Sequence, residues 1–308
     1  MRKPPHTATD GTPPPGHAAC ACRRLDAYPC HMPLYELDDP GALDKAVLVV
    51  AFDGWVNAGE AGTKAAQAVA SGGDVIARFD ADALYDYRAV RPTIDFIEGV
   101  MHAVAWPQVT LSLAQHGGRN FLVLTGTEPN WSWQRLGADV AGLAARLGVV
   151  EHISLGGIPW ATPHTRPITT IVTASDPKRL DPTDQHPEGL LRVPGSAVSI
   201  VEHAVAAAGI PTIGFWARVP HYLGAAYHAA AIALLERAGQ HLGIPLPLGD
   251  LPGEAAEQAE QLAAVAAGRP EIATMVEQLE ALVDQQGDIS GEQLAAEIER
   301  FLRERESD

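Results

Sequence analysis

Side chains able to do chemistry gather in five short stretches of this sequence. The first is Asp53-Gly54-Trp55-Val56-Asn57-Ala58-Gly59-Glu60. Asp53 and Asn57 bracket a glycine-permitted turn that opens into Ala-rich helical sequence, and a helix start offers free N–H groups to an anion. The plainer reading is that the two side chains hydrogen-bond the turn while Gly59 permits close packing. The spacing fits neither a P-loop nor a GxGxxG fingerprint. The second stretch, Tyr85-Asp86-Tyr87-Arg88-Ala89-Val90-Arg91-Pro92, brings Arg88 and Arg91 beside Tyr85. Forked guanidinium donors suit a phosphate or carboxylate. Asp86 is equally placed to pair with either arginine and tie down a loop.

The third stretch, Gly126-Thr127-Glu128-Pro129-Asn130-Trp131-Ser132-Trp133, directly follows an apolar run. Glu128 is either a general base or the carboxylate that receives the N–H groups of the following helix, where negative charge is favoured. The fourth, Gly156 to Pro167, carries His164 and Arg166 in a proline-stiffened loop, and the fifth carries His221 and Tyr222 after Pro220. A histidine there suits proton transfer near neutral pH or a structural role. No G-x-S-x-G elbow or H-E-x-x-H motif occurs, so two common hydrolase designs are excluded. Cys20, Cys22, Cys30 and His31 are irregularly spaced near the N-terminus, which predicts no zinc site. No cysteine lies beyond Cys30, so a cysteine nucleophile is excluded there. No cofactor and no metal are expected.

Each stretch follows a strand-like run. Ala46 to Phe52 is almost unbroken apolar sequence, as are Asn120 to Thr125, His152 to Leu155, Ile168 to Ala174 and Pro211 to Ala217. Runs this short suit strands covered on both faces. Val75 to Phe79 and Val109 to Leu113 are weaker, alternating strands. Between them, Leu136, Val140, Leu143 and Leu147 follow helical spacing. Ser196 can cap a helix bearing Ala197, Val201, Ala204 and Ala208, and Leu223 to Ala238 reads as a helix apolar almost all round. Buried strands alternating with helices predict an α/β fold of three layers around a mainly parallel or mixed sheet. Ligands in such sheets sit beyond the carboxyl ends of the strands. Asp53, Asn57, Tyr85, Arg88, Arg91, Glu128, His164, Arg166, His221 and Tyr222 are therefore the candidate pocket.

The rest of the chain frames this domain. Residues 1–32 are rich in Pro, His and Ala and contain no apolar signal core; they read as a flexible leader, and the cytoplasm is the default location. Residues 33–249 form the α/β core. Residues 250–308 hold 15 acidic and 4 basic side chains, a net of −11 out of the chain's −16, and read as an acidic helical hairpin extension. Ile272, Val276, Leu279 and Val283 form one stripe, Leu294, Ile298 and Leu302 a second, with a capping box at Ser290 and Gln293 and an additional helix at 254–267. The 308 residues are 46% hydrophobic and 19% charged, which excludes global disorder. The net negative charge argues against nucleic acid and anionic membrane as partners.

Taken together and in this order, the five stretches resemble the proteasome assembly chaperone family of the second type, in its actinobacterial branch. Phe52-Asp53-Gly54-Trp55 with Ala58-Gly59, Tyr85-Asp86-Tyr87-Arg88 with Arg91-Pro92, Gly126 with Glu128-Pro129, Pro163 to Pro167 and Pro220-His221-Tyr222 carry the resemblance. It runs from about Tyr35 to Leu302. Val56-Asn57 stands where Asn-Asp is expected. The resemblance implies a fold similar to nucleoside phosphorylases and peptidyl-tRNA hydrolase-like proteins, a homo-oligomer, expected as a trimer, and proteasome subunits as partners. Related chaperones often dock through a hydrophobic-Tyr-any residue tail, whereas this sequence ends Arg305-Glu306-Ser307-Asp308. Two functions are thus expected: a non-enzymatic assembly factor, or a binder or enzyme for a small anion or nucleoside on a phosphorylase-like fold. Whether any catalysis occurs is left open by the residues.

Overall fold

The structure, a computed structural model, describes residues 32–285. The chain divides into two units, 1–32 and 33–308, and the second holds the sheet and helices. The leader, the stripe at Leu294 to Leu302 and the capping box at Ser290 lie outside the described residues.

Ten strands are described: β1 (Tyr35–Leu37), β2 (Ala46–Asp53), β3 (Asp74–Phe79), β4 (Thr93–Ile97), β5 (Val100–Ala105), β6 (Val109–His116), β7 (Arg119–Thr127), β8 (Val149–Trp160), β9 (Thr170–Ala174) and β10 (Thr212–Pro220). Eight of them form one sheet in the order β1-β3-β6-β7-β2-β8-β10-β9. The centre, β7-β2-β8-β10, is parallel. β6, β3 and β1 add antiparallel pairs on one side and β9 on the other. The sheet is thus mixed with a parallel middle. The run Ala46 to Phe52 is buried along its whole length, as a central strand covered on both faces must be.

Helices cover both faces. On one lie α3 (Trp133–Arg146) and α4 (Ala197–Ala207), packed on each other and on a core that includes Leu48, Val50, Leu122, Leu136, Val140 and Val201. On the other lie α1 (Ala61–Ala70) and α5 (His228–Leu242), the latter with buried Leu234, over Val47, Val49, Ile153 and Phe215. A single turn, α2 (Ala81–Leu84), follows β3 and is capped by Asp80, whose carboxylate accepts from the N–H groups of Asp82 and Ala83. Ser196 caps α4 by accepting from the Ser199 N–H. α5 starts at His228, five residues later than its apolar sequence suggests. Gly224 opposes an earlier start, and the Tyr227 N–H is drawn away to the Gly59 carbonyl at 2.7 Å. The freed residues 223–225 instead line a pocket.

α6 (Leu251–Gly268) and α7 (Pro270–Gln285) continue the chain. α6 packs on α5 and explains why that helix is apolar almost all round. Gln258 of α6 donates to the Ala226 carbonyl at 2.6 Å, and Glu254 pairs with His228 at 3.0 Å. Among the described residues no helix is long and apolar enough to cross a membrane.

β4 and β5 stand outside the main sheet as a two-stranded hairpin. Glu98 and Gly99 form its two-residue turn with φ of 50° and 81°, the left-handed pair that matches strand twist in a tight hairpin. Every residue of both strands is exposed.

Candidate functional site

The five stretches reach the same end of the sheet. β2, β7, β8 and β10 run parallel, and β3 points the same way because two antiparallel pairings separate it from β7. Their carboxyl ends therefore share one edge. Cross-links tie the loops there. Glu128 donates its N–H to the Asp53 carbonyl at 2.8 Å, and the Tyr85 hydroxyl donates to the Thr127 carbonyl at 2.7 Å. His221 Nδ1 lies 3.2 Å from the Trp160 carbonyl.

Asp53, Asn57, Glu128 and His221 line one concavity of about 990 Å3, together with Gly54, Trp55, Glu60 and residues 223–225. Its ionisable lining is three carboxylates and one histidine, so it presents negative charge. Asp53 also borders a second groove of about 470 Å3 that runs past Glu60, Thr127 and Gly126 to Trp106 at the foot of the hairpin.

Within the concavity, Asp53, Asn57 and Glu128 are held by their neighbours. Asn57 is buried; its Nδ2 donates to Thr63 Oγ1 at 2.9 Å and to Asp53 Oδ1 at 3.3 Å, and its Oδ1 accepts from the Thr63 N–H at 3.1 Å. The side chain thus takes an N–H at the start of α1 that an anion would need. Glu128 accepts from the Trp55 N–H at 2.9 Å and from the Ala197 N–H at 2.7 Å. It receives the first turn of α4, not of α3, the helix that follows it in sequence. Glu128 is adjacent to α4 only after folding, and the linear order hides that contact. The approach is close enough that a Cβ on Gly54 would lie 2.5 Å from Glu128 Oε2. Gly59, at φ +59°, meets Tyr227 and Val219 in the same manner.

The other candidates lie apart from the concavity. Tyr85 is buried beneath the loop, and desolvation pushes its hydroxyl pKa well up. Arg88 is exposed and forks onto Asp86 at 3.1 and 3.0 Å, the loop-tying alternative. Arg91 is exposed. His164 and Tyr222 form a separate pair: the Tyr222 oxygen is 2.8 Å from His164 Nδ1 and accepts the His164 N–H at 2.9 Å. Desolvation lowers the His164 pKa against the opposing pull of Glu280, and desolvation raises that of Tyr222. Arg166 reaches α7, forking onto Asp284 at 3.1 and 2.8 Å and meeting Glu280 at 3.1 Å. The three arginines therefore do not converge on an anion, and His164 is engaged elsewhere. Among the described residues no cluster of His, Cys, Asp or Glu is arranged to hold a metal ion.

Two features at this edge are additional to the sequence reading. Trp55 forms a wall shared between the concavity and a neighbouring apolar cavity. The hairpin exposes Ile94, Phe96, Ile97, Val100, Met101 and Val104, and Trp106 at its base stacks edge-on against Tyr87 at 4.8 Å. The signal for the hairpin is Glu98-Gly99 between two apolar runs. Its alternation is blurred by a register shift between Asp95 and Phe96.

A family model described as the PAC2 family matches residues 51–266. Among solved structures, a Mycobacterium tuberculosis protein of unknown function is 35% identical with a TM-score of 0.77, over 85% of this chain and 92% of its own. A proteasome-assembly chaperone homologue from M. tuberculosis is 31% identical with a TM-score of 0.68, over 75% and 99%. A PAC2 family protein from Streptomyces avermitilis is 33% identical with a TM-score of 0.64, over the same shares. No curated protein matches the sequence.

Proposed function

This chain belongs to the PAC2 family, and from that premise we propose that it is a non-enzymatic, self-associating assembly factor that binds protein chains in the cytoplasm. Proteasome subunits are its proposed clients, by similarity to the M. tuberculosis proteasome-assembly chaperone homologue.

The carrying observation is the hairpin. Two strands alone are marginal in water, and contiguous apolar surface of this kind marks an interaction site. Phe96 and Met101 are each more than half exposed and sit opposite each other across the strands. Another protein chain that covers them supplies the burial that this chain withholds. The acidic concavity supports the same reading, since its Asn57 and Glu128 are committed to holding loops together. An anion-binding enzyme needs cations in that concavity, and Arg88, Arg91 and Arg166 are all bound or exposed outside it.

The test is affinity capture of the full chain from cells of its source. Proteasome α-subunits are expected to co-purify with the wild type and to be lost with Phe96→Lys/Met101→Glu. That pair of opposite charges keeps cross-strand attraction while removing the apolar face. Absence of α-subunits from the wild-type capture, with unchanged kinetics of proteasome assembly when the gene is deleted, would overturn the proposal.

A further inference from the structure

Behind Trp55 lies a cavity of about 410 Å3, on the α4 side of the sheet beside β8, β9 and β10. Its size falls within the range of small-molecule sites. The wall is apolar: Trp55, Ile158, Ile171, Leu191, Val193 and Trp216. One side of α4 faces the cavity with Ser199, Glu202, His203 and Ala206, positions that share a helix face. Glu202 is the one carboxylate among the lining residues.

The fold holds that carboxylate with donors. Ser154 Oγ donates to Glu202 Oε2 at 2.9 Å, and Thr212 Oγ1 lies 3.4 Å from Oε1. Behind Ser154, fully buried His152 places its Nε2 at 2.9 Å from the same hydroxyl. Since Ser154 spends its proton on Glu202, His152 donates from Nε2, and its Nδ1 is left as a buried lone pair without a partner. The chain of donors thus runs from His152 through Ser154 to the carboxylate. Two strands, β8 and β10, and one helix supply it.

No lysine or arginine lines this cavity, and His203, on the same helix face, makes no ion pair with Glu202. Among the described residues Glu202 has no ion-pair partner, and desolvation raises its pKa against the pull of the two hydroxyl groups. A carboxylate has about four acceptor positions, so the two hydroxyl contacts leave capacity toward the cavity. An anionic ligand is repelled there. A wholly apolar ligand leaves the carboxylate's charge balanced by the two hydroxyl groups alone, which is costly in a low-dielectric site. A ligand with a nitrogen cation satisfies it, and indole faces add attraction for the same charge. We propose that this cavity binds a small hydrophobic amine, with its nitrogen on Glu202 and its apolar body between Trp55 and Trp216. The site is separate from the proposed protein-binding hairpin, so either can fail alone.

The test is calorimetric titration of the full chain with 2-phenylethylamine, 2-phenylethanol and 3-phenylpropionate, and with hexylamine and hexanol. The amines are expected to saturate and to bind at least about tenfold more tightly than the matching alcohols, with no binding of the carboxylate. Glu202→Gln retains the shape and an acceptor for Ser154, and is expected to erase the preference for amine. Should that variant not fold, Ala206→Phe fills the cavity from the helix side and is expected to abolish binding of every probe with the circular dichroism unchanged. Equal affinity for amine and alcohol, no saturation by any probe at millimolar concentration, an amine preference that survives in Glu202→Gln, or binding that survives in Ala206→Phe would each overturn the proposal.

Discussion

Glu128 shows how a side chain with the attributes of a catalytic base serves the fold. Its two oxygens take N–H groups from Trp55 and Ala197, joining the loop after β2 to the first turn of α4. Removing the carboxylate leaves two donors without their partner, at about 2–3 kcal/mol. Glu128→Ala is therefore expected to lower the midpoint of thermal unfolding by roughly 5–10 °C, and Glu128→Gln by less; calorimetry checks both. His152 offers a second measurement. In the unfolded chain its ring takes a proton near the usual pH of about 6.5, whereas burial holds the folded value down to about 3. The unfolded state therefore binds more protons between those values. The contribution is complete above pH 6.5 and is lost as pH falls toward 3, with a slope of up to about 1.4 kcal/mol per pH unit. Glu202 has a raised pKa and acts with the opposite sign, losing stability as pH rises through its own value. Urea unfolding at pH 7, 6 and 5 is expected to give a steeper acid loss for the wild type than for His152→Gln. Equal slopes would refute the buried neutral ring.

At the scale of elements, Arg166 makes α7 part of the domain. It forks onto Asp284 and also meets Glu280, while Val276 and Leu279 supply the buried stripe of that helix. Exposed ion pairs contribute little to global stability, so Arg166→Ala is expected to leave the unfolding midpoint almost unchanged. Local opening is a different quantity. Amide exchange across 270–285 is expected to accelerate in the variant while α3 and α4 keep their protection, measured by mass spectrometry. The strands of the parallel centre were legible because a sheet covered on both faces demands unbroken apolar runs such as Ala46 to Phe52. α3 and α4 were legible from spacing and from Ser196. The start of α5 was hidden because a distant carbonyl, that of Gly59, captures the Tyr227 N–H. The hairpin was hidden because a register shift between Asp95 and Phe96 breaks its alternation and no position in it is buried. In the site, the shared edge followed from the strands, but no spacing rule distinguishes a carboxylate that binds a ligand from one that caps a remote helix. Glu202 was hidden for a related reason: His152 and Ser154 sit two apart on one strand face, and their partner comes from a helix about fifty residues on.

For the whole molecule, the contrast between a covered apolar core and an uncovered hairpin leads us to expect association. The main sheet buries its apolar strands between two helical layers, whereas β4 and β5 leave Phe96, Ile97, Val100 and Met101 more than half exposed. A net charge of −16 opposes indiscriminate contact between copies. Productive contact must therefore be local, and the hairpin concentrates apolar area where Asp95 and Glu98 are its only acidic residues. Copies that bring the same segment to a common symmetry axis meet equivalent apolar surfaces, and closed symmetry is the usual way such contacts are satisfied. Light scattering on the eluting wild type is expected to give a multiple of 32.6 kDa, with three copies the stoichiometry implied by the family resemblance. Phe96→Lys/Met101→Glu is expected to elute as a single copy with its circular dichroism retained. The unfolding midpoint of the wild type should rise with protein concentration and that of the variant should not, because only association couples stability to concentration. A wild type that scatters as one copy at micromolar concentration, or a variant that keeps the wild-type mass, would show that the hairpin is reserved for a different chain.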